Sequence, residues 1–358
     1  MKKIILGVLM AASMPLMAQQ LPDSHFENWG DKFNKDVQLT DWHGSNVDQF
    51  VKFTMLFQKT GRTGYAAYVE NRKVGAMGIT ETAPGYFSLG KPWQYMKGLN
   101  TKSATGGTEG GIAWKYRPDT MVVWIKRVGE ETAKEDFNLL FYSWSGTAKG
   151  SKYGNKSGEC TETDRVNEQC DIRTITGANP CGTDEPAKQV SEGWYRARAK
   201  YNEWTQIKVP IYYANSTAPT MCNVIFSAGN YPSPGGSDVL CVGNGLYVDD
   251  VEMVYSSRVD KVLVNGKEFA GFNPDNSGVQ IVKLSEIGAT GSEIKIEALR
   301  GVGTIATPQG KKANFKGRKL DTKEMTVTPG ALNGAPWTIT VKAEDGSSTH
   351  TYKLQIKN

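Results

Sequence analysis

Two carboxylates, Asp249 and Asp250, stand side by side in GLYVDDVEMVY, residues 245–255, a run that otherwise reads as a strand. Aspartate is depleted in strands because its short side chain competes for backbone hydrogen bonds. Either the strand leaves the core there and both acids are solvated, or one of them holds a cation. The candidate partner is Glu27, in SHFENWGDKF near the start of the chain. If the first and last strands of one domain lie side by side, Glu27 comes near Asp249. Two carboxylates with backbone carbonyls make a hard oxygen cage suited to Ca²⁺. Glu27 and Asp249 are therefore the metal candidates, and a structural Ca²⁺ is the only cofactor in view.

Aromatic side chains are the second resource, with 9 Trp and 15 Tyr. Trp114, Trp124, Trp204 and Trp337 lie inside strand-like runs and are expected in the core. Trp93, Trp144 and Trp194 sit at loop edges beside Gly, Pro and Ser, as do Tyr153, Tyr195 and Tyr231. A flat ring with polar neighbours offers a stacking surface for the apolar face of a sugar, and the same rings also serve as sandwich rims. Trp144, Trp194 and Tyr195 are the candidate carbohydrate-binding rings, with Arg196 as polar partner.

Other chemistry lacks its residues. The 3 histidines, His25, His43 and His350, are scattered. There is no H-E-x-x-H, no G-x-S-x-G and no P-loop. A glycosidase needs two carboxylates at the right separation. Glu109, Glu130, Glu131, Glu135, Asp136, Glu192 and Glu203 are available, but nothing selects a pair. The basic run KKANFKGRK, residues 311–319, holds one aromatic and reads as a solvated loop rather than a nucleic-acid site.

The elements that must position these groups are strands. VKFTMLFQKT, TGYAAYVEN, TMVVWIKRV, FNLLFYSW, WTQIKVPIYY and CNVIFSAGN are rich in β-branched and aromatic residues with partial alternation. No segment offers a long amphipathic helix. The expected fold is all-β: a jelly-roll β-sandwich over 21–256, then a smaller Ig-like β-sandwich over 258–358. The second carries hairpin signals at Asn265-Gly266 and Asp345-Gly346. A polar, turn-rich insertion at about 145–193 interrupts the first, and a loop of that length is functional or stapled.

Residues 1–18 read as a signal peptide, with Lys2 and Lys3 before the apolar run Ile4–Met17 and a cut after Ala18. No cysteine lies near the cut, so no N-terminal lipid anchor is indicated. No later run approaches the roughly 20 apolar residues of a membrane span. The expectation is export to the periplasm, cell surface or medium. There disulfides among Cys160, Cys170, Cys181, Cys222 and Cys241 are allowed. One bond within the 160–181 loop and one between Cys222 and Cys241 are the suggested pairs. An odd count leaves a thiol over.

The order of motifs resembles the PCMD family, a carbohydrate metabolism domain of Bacteroidetes bacteria. FENW, GKPWQYMKG, WKYRPDTMVVWIKR, GECTETDRVNEQCDIRTI and YNEWTQIKVPIYY carry the likeness, which ends in NVIFSAGNYPSPGGSDVLCVGNGLYVDDVEMVY. Ser227-Ala228-Gly229-Asn230 departs from the family's paired serines. The likeness implies a jelly roll similar to carbohydrate-binding modules, with Glu27 and Asp249 as Ca²⁺ ligands and no inherited catalytic residues. The segment 258–358 resembles the cadherin-like or Ig-like sandwiches that accompany such domains. The reading is an exported, non-catalytic carbohydrate-binding protein with a glycan partner. A glycoside hydrolase or lyase and a cell-envelope adhesin are the alternatives.

Overall fold

The computed structural model describes residues 19–48, 51–76, 78–95, 105–145, 188–213, 217–229, 239–291, 293–300, 303–306, 312–315, 318–319 and 325–358. Among them every regular element is a strand, and the all-β expectation holds. One path of hydrogen-bonded strands runs through residues 43–254. In order it holds His43–Gly44, Tyr86–Ser88, Met221–Ser227, Phe137–Ser145, Lys188–Ala197, Tyr201–Tyr213, Thr120–Val128, Gly245–Val254, Tyr65–Glu70 and Leu56–Thr60.

Two sheets face each other along this path. The Tyr201–Tyr213 strand is shared, pairing at its C-terminal end with Lys188–Ala197 and along most of its length with Thr120–Val128. We call the layer containing Phe137–Ser145 the first sheet and the layer containing Gly245–Val254 the second.

Strand alternation explains the packing. Phe137, Leu139 and Phe141 alternate with Asn138, Leu140 and Tyr142, and only the first set enters the core between the sheets. Leu246, Val248, Val251 and Met253 enter it from the second sheet. The change of parity between Val248 and Val251 marks a bulge. Asp250 has φ +45, and the register with Thr120–Val128 shifts between Val122 and Trp124. That bulge lets two acids stand in a strand. Phe26, Trp42, Phe87 and Phe226 pack together, with ring centroids 5.3–5.7 Å apart for the contacting pairs.

A second core forms around Val259, Val262, Val264, Val282, Ile339, Val341, Tyr352, Leu354 and Ile356. It lies between two four-stranded sheets, one of which pairs Val279–Lys283 in parallel with Thr349–Lys357. The Asn265-Gly266 turn has both residues at positive φ, as a two-residue type I′ hairpin requires. The loop after Trp337–Lys342 reaches back to the first core: Ala343 is buried there. Beside it Glu344 accepts two hydrogen bonds from Arg117 at 2.8 Å, through Nε and Nη2, with both side chains nearly buried.

The suggested Cys222–Cys241 bond is not formed; both thiols are free and buried. Cys222 faces the core from the first sheet, whereas Cys241 lies in the loop before Gly245–Val254. Cys160, Cys170, Cys181 and most of the 145–193 insertion lie outside the described residues, as do residues 1–18. No helix among the described residues is long and apolar enough to cross a membrane.

Candidate functional site

Glu27 and Asp249 are brought to the same hairpin turn, residues 61–65. Residues 20–24 run beside Gly245–Val254: Val251 N donates to Ser24 O at 2.8 Å, and Met253 N donates to Gln20 Oε1 at 2.7 Å. Asp23 then closes a tight turn, its carboxylate accepting from the Glu27 and Asn28 amides at 2.9 and 3.1 Å. Phe26 sits inside this turn at φ +54, a conformation a bulky residue rarely adopts. Burial of its ring beside Trp42 and Phe87 holds it there. The turn sends Phe26 inward and Glu27 outward, and Trp29 Nε1 ties it off on Phe26 O at 2.7 Å. The strand that follows, Trp29–Phe33, pairs with Asp36–Leu39 and not with Gly245–Val254. The side-by-side relation thus comes from the segment before Glu27.

Both carboxylates close on the turn that joins Leu56–Thr60 to Tyr65–Glu70. Glu27 Oε1 accepts from Tyr65 N at 2.9 Å, and Asp249 Oδ2 accepts from Arg62 N at 2.7 Å. Asp249 Oδ1 accepts from Asp250 N at 2.8 Å. Burial pushes the Asp249 pKa up to about 6, against the pull of those amides. Asp250 points the other way. It takes an ion pair from Arg62 and a 2.7 Å contact from His25 Nδ1, and the Arg62 guanidinium lies 3.8 Å over the Trp124 ring.

The turn leaves no room for side chains. A Cβ on Gly61 would stand 2.5 Å from Tyr65 O and 2.7 Å from Asp249 Oδ2. One on Gly64 would stand 2.2 Å from Glu27 Oε1. The donors gathered there are all oxygens: two carboxylates and the Tyr65 carbonyl. That chemistry fits a hard cation such as Ca²⁺. Among the described residues no group of three or more His, Cys, Asp or Glu side chains is close enough to hold a metal, so backbone oxygens would have to complete such a site.

The four carbohydrate candidates do not share one surface. Trp194 and Arg196 lie on the outer face of the first sheet, opposite Leu140 and Asn138. The Arg196 guanidinium sits 4.8 Å over the half-exposed Trp194 ring, and its Nε donates to Asn138 Oδ1 at 3.1 Å. Tyr195, one residue between them, faces inward by the same alternation. It packs on Phe137 and shares a 2.9 Å hydroxyl contact with Tyr201. Trp144 shares the outer face but is only 1% exposed, stacked on Tyr142 in a cluster with Tyr86, Leu140 and Ile225. A buried indole offers no stacking surface to a ligand. Tyr195 and Trp144 are thus corrected to packing residues, and Trp194 with Arg196 remains. Trp93 has no described side chain, and Tyr153 and Tyr231 lie outside the described residues.

The outer face of the first sheet is banded. One row holds Tyr86, Ser227, Asn138 and Arg196, and the next holds Ser88, Ile225, Leu140 and Trp194. The third holds Asn223, Tyr142, Glu192 and Tyr212. Asn223 Nδ2 donates to the Tyr142 hydroxyl at 2.8 Å, and Gly90 N donates to Asn223 Oδ1 at 2.8 Å. Polar groups line this face because they bond across strands. Period-two reading of single strands could have sorted Tyr195 from Trp194 and Arg196. The rows themselves depend on register, which no single strand shows.

No family model matches the chain, and no curated protein is significantly similar to it. Solved structures give remote likenesses. A "putative glycoside hydrolase" of Bacteroides thetaiotaomicron is 15% identical, with TM-score 0.41 over 65% of this chain and 71% of that one. A "putative glycoside hydrolase" of Bacteroides vulgatus is 16% identical, with TM-score 0.41 over 64% and 96%. A β-1,2-glucanase of Parabacteroides distasonis is 10% identical, with TM-score 0.27 over 96% and 39%. Likeness this distant carries no function from those proteins to this chain.

Proposed function

We propose that this is an exported, non-catalytic carbohydrate-binding protein of the PCMD type. The observation that carries the reading is the Trp194–Arg196 edge. A half-exposed indole lies on a sheet face, with a guanidinium over it that Asn138 orients. A pyranose ring stacks on such an indole, and the arginine supplies directed hydrogen bonds. Ca²⁺ held by Glu27, Asp249 and the Tyr65 carbonyl would neutralise two carboxylates and lock the 61–65 turn to the strand carrying Asp249. Its role is structural, remote from the sugar. The leader directs export.

The test is a glycan array with purified mature protein, with Ca²⁺ and again with chelator, repeated on Trp194→Ala. Expected is a reproducible glycan signal, about tenfold weaker in the variant at little changed melting temperature. A blank array with the folded protein overturns the reading in favour of an adhesin.

A further inference from the structure

The second sheet carries a different surface on its outer face. Alternation points Leu56, Ala67, Val69, Ile125, Leu246 and Val248 into the core. The residues between them face out, and register lines several of them up. Phe57 is opposite Tyr68, Tyr68 is opposite Tyr247, and Tyr247 is opposite Lys126. Trp204, on the next strand, follows Lys126. The ring centroids are 6.1 Å apart for Phe57–Tyr68, 4.4 Å for Tyr68–Tyr247 and 6.3 Å for Trp204–Tyr247. The row crosses five adjacent strands, a span of about 19 Å at the usual strand separation.

Part of this row has a structural explanation. Tyr68 lies across Gly245, where a Cβ would meet its hydroxyl at 2.2 Å, and its hydroxyl donates to Glu70 at 2.8 Å. Tyr68 therefore covers a glycine and is itself nearly buried. The half-exposed rings of Phe57, Tyr247 and Trp204 and their cations are not explained that way. Lys126 Nζ stands 4.8 Å from the Trp204 centroid and 5.1 Å from that of Tyr247. Lys59 Nζ stands 5.9 Å from the Tyr68 centroid and 6.0 Å from that of Phe57. Arg72 completes the row over Phe57 at 5.6 Å and faces Glu70 at 3.9 Å. Neither Lys59 nor Lys126 has a carboxylate partner among the described residues.

We propose that this row is a second binding platform, for an extended anionic polysaccharide. Rings on neighbouring strands repeat at a spacing comparable to that of successive sugars in a chain. The two lysines stand between the rings, where carboxylates or sulfates on the chain would meet them. Rings alone would suit a neutral polymer; charge complementarity of rings interleaved with unpaired cations selects an acidic one. The platform is on the sheet opposite the Trp194–Arg196 edge and does not depend on that site.

The test measures binding of the mature protein to polygalacturonate and to chondroitin sulfate, by affinity electrophoresis and titration calorimetry. Neutral galactan and poly-glutamate serve as controls. The variants are Lys59→Ala/Lys126→Ala, Trp204→Ala and Trp194→Ala, each checked by thermal melting. Binding to at least one acidic glycan is expected. It should weaken about tenfold in the double lysine variant and in Trp204→Ala, and markedly when salt rises from 0.05 to 0.5 M, as screening of exposed charges requires. Trp194→Ala should leave it unchanged. Preference between the probes separates carboxylate from sulfate recognition. Equal binding of poly-glutamate shows mere ion exchange and overturns the proposal. So do equal binding of galactan, loss only in Trp194→Ala, and no binding of either acidic glycan.

Discussion

Two buried carboxylates anchor turns in this sandwich, and their surroundings differ. Glu135 is wholly buried and met by fixed neutral donors. Asn71 Nδ2 reaches its oxygens at 2.8 and 2.9 Å, Asn244 Nδ2 at 2.8 Å, and Cys241 N at 3.1 Å. Asn71 Oδ1 passes the link on to Gly85 N at 2.9 Å. A wholly buried cation, Arg127, lies near enough for Glu135 to be the chief group opposing the burial that lowers the arginine's pKa to about 10. Asp249 is buried too, yet its pKa is pushed up to about 6 and the carboxylate of Asp250 adds to the rise. Glu27 stands across the same turn. Glu135 is thus met by three neutral donors and one nearby cation. At the Asp249 turn carboxylates gather instead, with Asp250 paired to Arg62, and the cation proposed above would act on Asp249 and Glu27 there.

Removing each carboxylate should separate the two. Glu135→Ala removes the chief charge opposing the burial of Arg127 and strands three donors. A loss of about 3–5 kcal/mol is expected on breaking a buried pair from one side, read as a lower midpoint in urea unfolding. The loss should be the same with Ca²⁺ and with chelator. A change under 1 kcal/mol, on the order of an exposed pair, would show that the knot is not what holds the loop.

Asp249 should respond to pH in the opposite sense from an ordinary paired acid. Its folded pKa lies above its unfolded value, so its favourable contribution is present below pH about 4. That contribution is lost as pH rises through about 6. The shift corresponds to at most about 3 kcal/mol. In chelator, the wild type should lose stability across this window relative to Asp249→Asn, which has no proton to release. With Ca²⁺ the wild type should recover, because binding to the folded state adds RT ln(1 + [L]/Kd). The variant should not. Parallel melting curves for both proteins at every pH, with and without Ca²⁺, would remove the distinction between the two carboxylates.

The legibility of these regions follows from how local their causes are. The strands were legible because alternation is a property of each run, and the Asn265-Gly266 hairpin because its turn needs two positive φ values. Asp249 stood out because aspartate is unusual in a strand, and Glu27 because the first and last strands of a jelly roll are expected side by side. Trp144 misled because Ser145 and Gly146 beside it suggest a loop edge, while tertiary packing on Tyr142 decides its burial. Trp124 and Trp204 misled the other way: strand residues with outward parity, they lie half-exposed on the second sheet instead of in the core. The Glu135 knot and the aromatic row join segments far apart in sequence, and nothing in any one of them announces the others.

Two glycines allow the smallest test. Gly64 has φ +62 and Gly266 has φ +76, so alanine at either position carries a backbone cost of about 1–2 kcal/mol. Nothing lies within 4 Å of a Cβ on Gly266, whereas one on Gly64 would strike the Glu27 carboxylate at 2.2 Å. Gly266→Ala therefore measures the backbone term alone, and the excess destabilisation of Gly64→Ala measures displacement of Glu27 from the turn. In chelator that excess should be small, because Glu27 is exposed and its bond to Tyr65 N is partly replaced by water. With Ca²⁺ the excess should grow, because the displaced carboxylate can no longer share the ion with Asp249. An excess independent of Ca²⁺ would make the Glu27–turn contact simple packing, and the Asp249 turn would then differ from the Glu135 knot only in burial.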